Sequence, residues 1–193
     1  MTNGPVPEQT QPTNEVHGVF VGPIDQLCVG RIANALAVAS SNKVTHIHVG
    51  VQTAGGTVAD GVALYNLFSA STIPLTVYNI GSISSAGVIA YLGAPDRAAS
   101  AFSTFMIHRT TSPAFAFTAD RLHAVTHSVA LDDGRTDAIF AAAGLNLTKE
   151  QKEIHRIADL WLSAEEAIAA NLATEIKEFA PPKGIQLFFL GSI

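Results

Sequence analysis

Short apolar runs of strand length alternate with segments of helical spacing over the first half of the chain, and this alternation constrains the fold most. Residues 16–21, 44–51 and 75–80 are the runs, and 97–99 and 104–108 supply shorter ones. Between them, Leu27, Cys28, Ile32, Leu36 and Ala39 recur at helical spacing, so the sequence predicts a helix over 24–40. Further helices are expected over 57–70 and 84–92, the last stopped by Gly93-Ala94-Pro95. Strands that alternate with helices imply βαβ units, parallel pairing and right-handed crossovers. The fold class expected is therefore α/β.

The pattern changes after His108. Thr111-Ser112-Pro113 reads as a loop, and 118–143 as one long helix without strand signal, capped near Gly144. Another helix starts at Leu147-Thr148-Lys149, and the apolar stretch 185–190 suits an edge strand or a packing surface. An α/β body with a helical projection follows. With 193 residues, one domain is enough. The polar, Pro-rich start, residues 1–15, has neither a basic start nor an apolar run, and reads as a flexible arm rather than a signal or a span.

Composition narrows the function classes. Charged residues are only 14% of the chain, against roughly 25% in ordinary domains, while 48% are hydrophobic. Surface that poor in charge suits burial against further copies of the chain, so a homo-oligomer is expected. A net charge of −5 with 11 Lys and Arg offers no basic stripe, which argues against nucleic acid. No segment suits a membrane. The single cysteine, Cys28, cannot form an intrachain disulfide and sits in an apolar helical stretch, as a small core residue would. A reducing, cytoplasmic location is the matching expectation.

Chemistry concentrates in three places. Gly81-Ser82-Ile83-Ser84-Ser85-Ala86-Gly87 carries hydroxyls where a strand and turn enter a helix. A serine becomes nucleophilic when a base takes its proton and donors await the oxyanion. The unpaired amides of a helix start are such donors, so the Ala86 amide is a candidate. Spacing alone leaves Ser82, Ser84 and Ser85 equally eligible, and a helix cap is the plainer role for any of them. Gly55-Gly56 ends a strand and permits close backbone approach, so the Gly56 amide is a second candidate donor.

His108 ends the run Phe105-Met106-Ile107 and is a candidate base. Asp159 is a candidate orienting carboxylate. It precedes Trp161-Leu162-Ser163-Ala164, where Ser163 and Glu166 form a capping-box pattern. His46 and His48 share a strand face, but no carboxylate or cysteine follows at ligand spacing, so no metal site is expected there. His123 and His127 lie four apart on a helix without the Glu of a metalloprotease motif. His17 and His155 have no suggestive context.

Taken in order, these segments resemble the ClpP family, the proteolytic subunit of the Clp protease, within the crotonase-like superfamily. The family's glycines after a strand match Ala54-Gly55-Gly56, and its Gly-x-x-x-Ser-x-Gly segment matches residues 81–87 and selects Ser85. Its Met-Ile-His matches Met106-Ile107-His108, and its acid before an aromatic-Leu-Ser-Ala helix start matches Asp159. The resemblance spans about residues 16–176. It implies a crotonase-like ClpP fold of repeated βαβ units, with a head over 16–110 and 145–193 and a protruding handle over 111–144. It further implies a serine endopeptidase with a Ser85-His108-Asp159 triad, an oxyanion hole from the Gly56 and Ala86 amides, and no metal or organic cofactor. The implied assembly is a chamber of heptameric rings, stacked face to face, that receives unfolded polypeptide from an AAA+ unfoldase.

The sequence departs from the family where Ala54 replaces Pro and Arg109-Thr110 replaces Gln-Pro. The family's glycine-rich strand after the histidine is here residues 110–117, without glycine, and Ala158 stands where an Arg commonly precedes the acid. These changes imply altered ring docking. Two rival readings are a non-catalytic ring subunit of the same fold and a crotonase-type acyl-CoA enzyme, for which a nucleophilic serine would be superfluous.

Overall fold

The computed structural model describes residues 14–112 and 118–191. Most of the expected N-terminal arm, and residues 113–117 of the segment in place of the glycine-rich strand, lie outside the described residues.

The first strand, β1 (Glu15–Val21), leads to helix α1 (Gln26–Ser41). Asp25 starts that helix, its carboxylate accepting the Cys28 amide at 2.8 Å. Cys28, Ile32 and Ala39 are its buried stripe. After β2 (His46–Thr53), Thr57 caps α2 (Val58–Ser69) by accepting the Asp60 amide, and Gly61, Leu64 and Phe68 turn inward. Then follow β3 (Leu75–Ser84), α3 (Ala86–Leu92), β4 (Asp96–Ala99) and β5 (Thr104–Ile107). The long α4 (Ala119–Ala142) and α5 (Lys149–Ile157) precede β6 (Leu160–Ser163) and α6 (Ala164–Ala169). Two short strands, β7 (Glu175–Ile176) and β8 (Leu187–Phe189), end the described chain.

The strands form one sheet in the order β6-β5-β3-β2-β1-β8, with β4 pairing β3 and β7 off this path. Every pairing is parallel except β5 with β6, as the alternation of strands and helices predicts. Strand β3 forks: Thr76–Asn79 pairs with β4, and Ser82–Ser84 pairs with β5. Phe20, Val49 and Val77 from neighbouring strands meet Cys28 and Ile32 of α1 and Leu64 and Phe68 of α2. That layer is the core. Across the sheet from it, the side chains of His46, His48 and Tyr78 gather beside Phe179.

Two local expectations change. Strand β3 runs on to Ser84, past the expected end at 80, so α3 begins at Ala86 rather than 84. Pairing with β5 extends it, a nonlocal cause that helical spacing cannot register. Residues 160–163 form a strand that sequence reading passes over, because its buried–exposed alternation lasts only four residues. Gly144, just past α4, takes φ +71°, the left-handed turn expected of a helix stop. In α4 only Thr136, Ile139 and Phe140 are buried, so its earlier turns stand away from the core. Among the described residues no helix is long and apolar enough to cross a membrane.

Candidate active site

The fork in β3 builds the site. Ser84 pairs with Met106, and the Ser85 amide donates to the Met106 carbonyl at 2.8 Å. The chain leaves the strand at Ser85 and enters α3, which forces Ser85 to φ +54°, ψ −125°. A side chain at positive φ is strained, and this corner is one that glycine occupies at lowest cost. Ser85 makes no side-chain cap bond to its helix. Its hydroxyl instead lies 2.8 Å from His108 Nε2. The plain capping role is thereby excluded for Ser85. Ser82 and Ser84 approach each other at 3.4 Å, away from any histidine.

Gly55 and Gly56 approach this corner from the end of β2. Gly55 has φ +98°, and a Cβ there would meet Ser85 Cβ at 2.7 Å and the Ser84 carbonyl at 2.8 Å. At Gly56 a Cβ would run into the Ile24 carbonyl oxygen. Ile24 clamps this turn, donating to the Gly55 carbonyl at 2.9 Å and accepting the Thr57 amide at 3.2 Å. Neither the Gly56 amide nor the Ala86 amide has an acceptor among the described residues. Both open onto a cleft of about 290 Å³ that also contains Ser85 and His108. Val58, Ile89 and Phe140 give that cleft apolar walls, and Thr136 and Asp132 of α4 close it.

Asp159 occupies the turn between α5 and β6. Phe105 faces Leu162 and Ile107 faces Leu160 across the antiparallel β5–β6 pair, so the same register carried one step further sets Asp159 opposite His108. The carboxylate is exposed, and no hydrogen bond joins it to His108. The structure thus brings Ser85 and His108 together, and brings only the backbone of Asp159 alongside.

Sequence reasoning passed over the residues that hold the His108 segment to α4. Arg109 Nη1 donates to both Asp137 oxygens, at 2.9 and 2.8 Å, and the Thr110 amide donates to Asp133 Oδ1 at 2.8 Å. The Asp137 bond raises the Arg109 guanidinium further above its ordinary range. Nearby, His155 is buried with Nε2 unpartnered, and burial first, then the Arg109 charge, lowers its imidazole. Periodicity gave no signal for these contacts, since they join segments more than twenty residues apart.

The family model for Clp protease matches residues 13–179. The chain belongs to the Clp protease family. A solved structure of a mutant ClpP1 from Listeria monocytogenes is similar to it with a TM-score of 0.72 at 22% identity, covering 86% of this chain and 92% of that one. At that identity the likeness is one of fold, and the fold is that of ClpP. No curated protein matches the chain in sequence. In this Clp protease family chain, then, the α/β fold expected from the resemblance is present, with the Ser85 corner in its βαβ units and the early turns of α4 away from the core.

Proposed function

We propose that the chain is a serine endopeptidase of ClpP type, and one observation carries the reading: His108 Nε2 lies 2.8 Å from the hydroxyl of a positive-φ serine at the floor of a cleft. His108 takes the Ser85 proton as Oγ attacks a peptide carbonyl carbon. The Gly56 and Ala86 amides, which have no other acceptor among the described residues, receive the oxyanion. The tetrahedral intermediate collapses as His108 returns the proton to the leaving amine. Water, deprotonated by His108, then attacks the Ser85 ester carbon; the C–Oγ bond breaks, His108 returns the proton to Ser85 Oγ, and the carboxylic acid product leaves. No step calls for a metal or an organic cofactor.

Asp159 is the orienting carboxylate in this proposal. Its place opposite His108 in the β5–β6 register supports that role, and a side-chain rotation is needed to reach the imidazole. The chamber follows from the family: heptameric rings, with residues 111–144 as the handle between rings, and an AAA+ unfoldase as supplier of unfolded chains. The substrates are then peptides and unfolded polypeptides.

A second reading, a non-catalytic ring subunit, is favoured by the absence, among the described residues, of any carboxylate bonded to His108. A fluorophosphonate probe separates the two. The enzyme reading expects one label per chain at Ser85, with hydrolysis of small peptide esters that Ser85→Ala abolishes. Absence of labelling in the assembled protein, or full activity in Ser85→Ala, would overturn it.

A further inference from the structure

On the face of the sheet opposite the core, β1 and β2 bring together residues that are far apart in sequence. Parallel pairing sets His17 beside His48 and Glu15 beside His46. His17, His48 and His46 form a continuous stack, with ring centroids 4.6 Å and then 4.1 Å apart. One ligand atom from each of Glu15, His17 and His48 lies within 4.8 Å of the other two. Sequence reading set aside His46 and His48 because no carboxylate follows them. The carboxylate comes instead from the neighbouring strand.

One feature of this cluster is unexplained by folding alone, and a second suits a ligand set. His17 is 7% exposed, yet Nδ1 is shut off from solvent without a partner, and no hydrogen bond reaches its ring from any described residue. An unsatisfied buried polar group of this kind is uncommon and costly. The second feature is the approach of His48 Nε2 to Glu15 Oε2 at 3.5 Å, while His48 Nδ1 sits 3.1 Å from the Tyr78 hydroxyl. In the tautomer that donates Nδ1–H to Tyr78, Nε2 presents a lone pair to a carboxylate. That lone pair and the carboxylate can share a cation; with Nε2 protonated instead, Nε2–H points to Glu15, the Tyr78 hydroxyl donates to Nδ1, and the pair needs none.

We propose that Glu15, His17 and His48 form a site for a divalent transition-metal ion of the zinc type. Two imidazoles and one carboxylate are the donors that borderline cations prefer, and they disfavour magnesium and calcium, which take oxygen ligands. Tyr78 acts behind the ligands, fixing the His48 tautomer and ring direction. Burial keeps both imidazoles neutral at pH 7, as ligands must be: it lowers His17, and with the neighbouring His46 and His17 rings it takes His48 to about 4. Tetrahedral zinc with Zn–N of about 2.0–2.1 Å needs its ligand atoms roughly 3.4 Å apart. The triangle therefore has to contract, and the stacked rings, now 19° from parallel, turn about their soft Cβ–Cγ bonds to aim at one point. The bound ion fastens the first residues of β1 to β2.

The test uses the full chain, stripped with chelator, and zinc chloride as the probe. Calorimetry is expected to give one high-affinity ion per chain, and Co²⁺ in its place to give the visible absorption of a tetrahedral site. Glu15→Gln and His48→Gln should each weaken zinc by at least about tenfold, the scale of losing a ligand or its support. At equal zinc concentration, zinc should raise the unfolding temperature of the parent chain more than that of Glu15→Gln. Glu15 is exposed, so its isosteric variant keeps the fold and the comparison stays valid should His48→Gln be unstable. The exposed His123–His127 pair on α4 is the competing site. Its double alanine variant should retain the high-affinity ion. Zinc binding that disappears in that variant but survives Glu15→Gln, or no binding by the parent chain, would refute the proposal.

Discussion

The strain at Ser85 can be measured by a comparison of two variants whose usual ranking it reverses. At an ordinary position glycine is less stable than alanine by about 0.5–1 kcal/mol, because it loses more backbone freedom on folding. Ser85 stands at φ +54°, ψ −125°, where a residue with a Cβ is strained by about 1–3 kcal/mol. Ser85→Ala and Ser85→Gly both remove the hydroxyl and its 2.8 Å bond to His108, so that loss cancels between them. Ser85→Ala keeps the strained Cβ, whereas Ser85→Gly releases it. Subtracting the entropy cost of glycine from the strain leaves Ser85→Gly ahead by up to about 2.5 kcal/mol, with a central value of about 1 kcal/mol. In a chain of 193 residues, each kcal/mol moves the midpoint by about 2–4 °C. Thermal and urea unfolding of the two inactive variants, at equal concentration and in the same assembly state, provide the measurement. Ser85→Ala equal to or more stable than Ser85→Gly would show that the corner stores no strain, and the geometric argument for a presented nucleophile would fail with it.

Three further outcomes follow from the same structure. If Asp159 orients His108, Asp159→Asn lowers kcat by about 10³–10⁴, and a loss under about threefold removes Asp159 from the mechanism. Gly56→Ala forces a Cβ into the Ile24 carbonyl and should cost about 1–3 kcal/mol together with fluorophosphonate reactivity. Gly134→Ala, exposed in α4 with nothing within 4 Å, should instead stabilise by about 0.5–1 kcal/mol with reactivity unchanged, and equal effects in denaturant titrations would contradict the packing described. Metal-free protein should lose stability as pH falls from the ordinary His value of 6.5 toward about 4, since His48 is neutral when folded and protonates readily when unfolded. The neighbouring His46 and His17 rings reinforce the lowering of His48 that burial causes, the Glu15 carboxylate opposes it, and Tyr78, raised by burial, stays neutral throughout the window. His48→Gln should flatten the thermal-shift profile across that range, and an unchanged profile would clear His48 of the effect.

Much of the head was legible because its signals are local. Ser163 caps the helix that follows, as its capping-box pattern predicts, and Asp25, Thr57 and Thr148 cap theirs in the same way. The long run without strand signal is α4. The fork of β3 was not legible, and β6 was passed over, since both depend on pairing partners distant in the chain. The same division holds at the site. Resemblance to the family picked out Ser85 and His108, but the Arg109–Asp137 and Thr110–Asp133 contacts that hold the histidine segment carry no motif.

By itself the sequence determined an α/β chain with Ser85 at a strand-to-helix turn, because glycine placement, helix caps and apolar spacing act within a few residues. Tertiary structure alone decided which side chains meet. Parallel pairing of β3 with β5 put His108 on Ser85, and antiparallel pairing of β5 with β6 brought Asp159 alongside without a hydrogen bond from its carboxylate to His108. The pairing of β1 with β2 turned four scattered residues, Glu15, His17, His46 and His48, into one cluster. Strand register is set by the whole sheet, and no short segment encodes it.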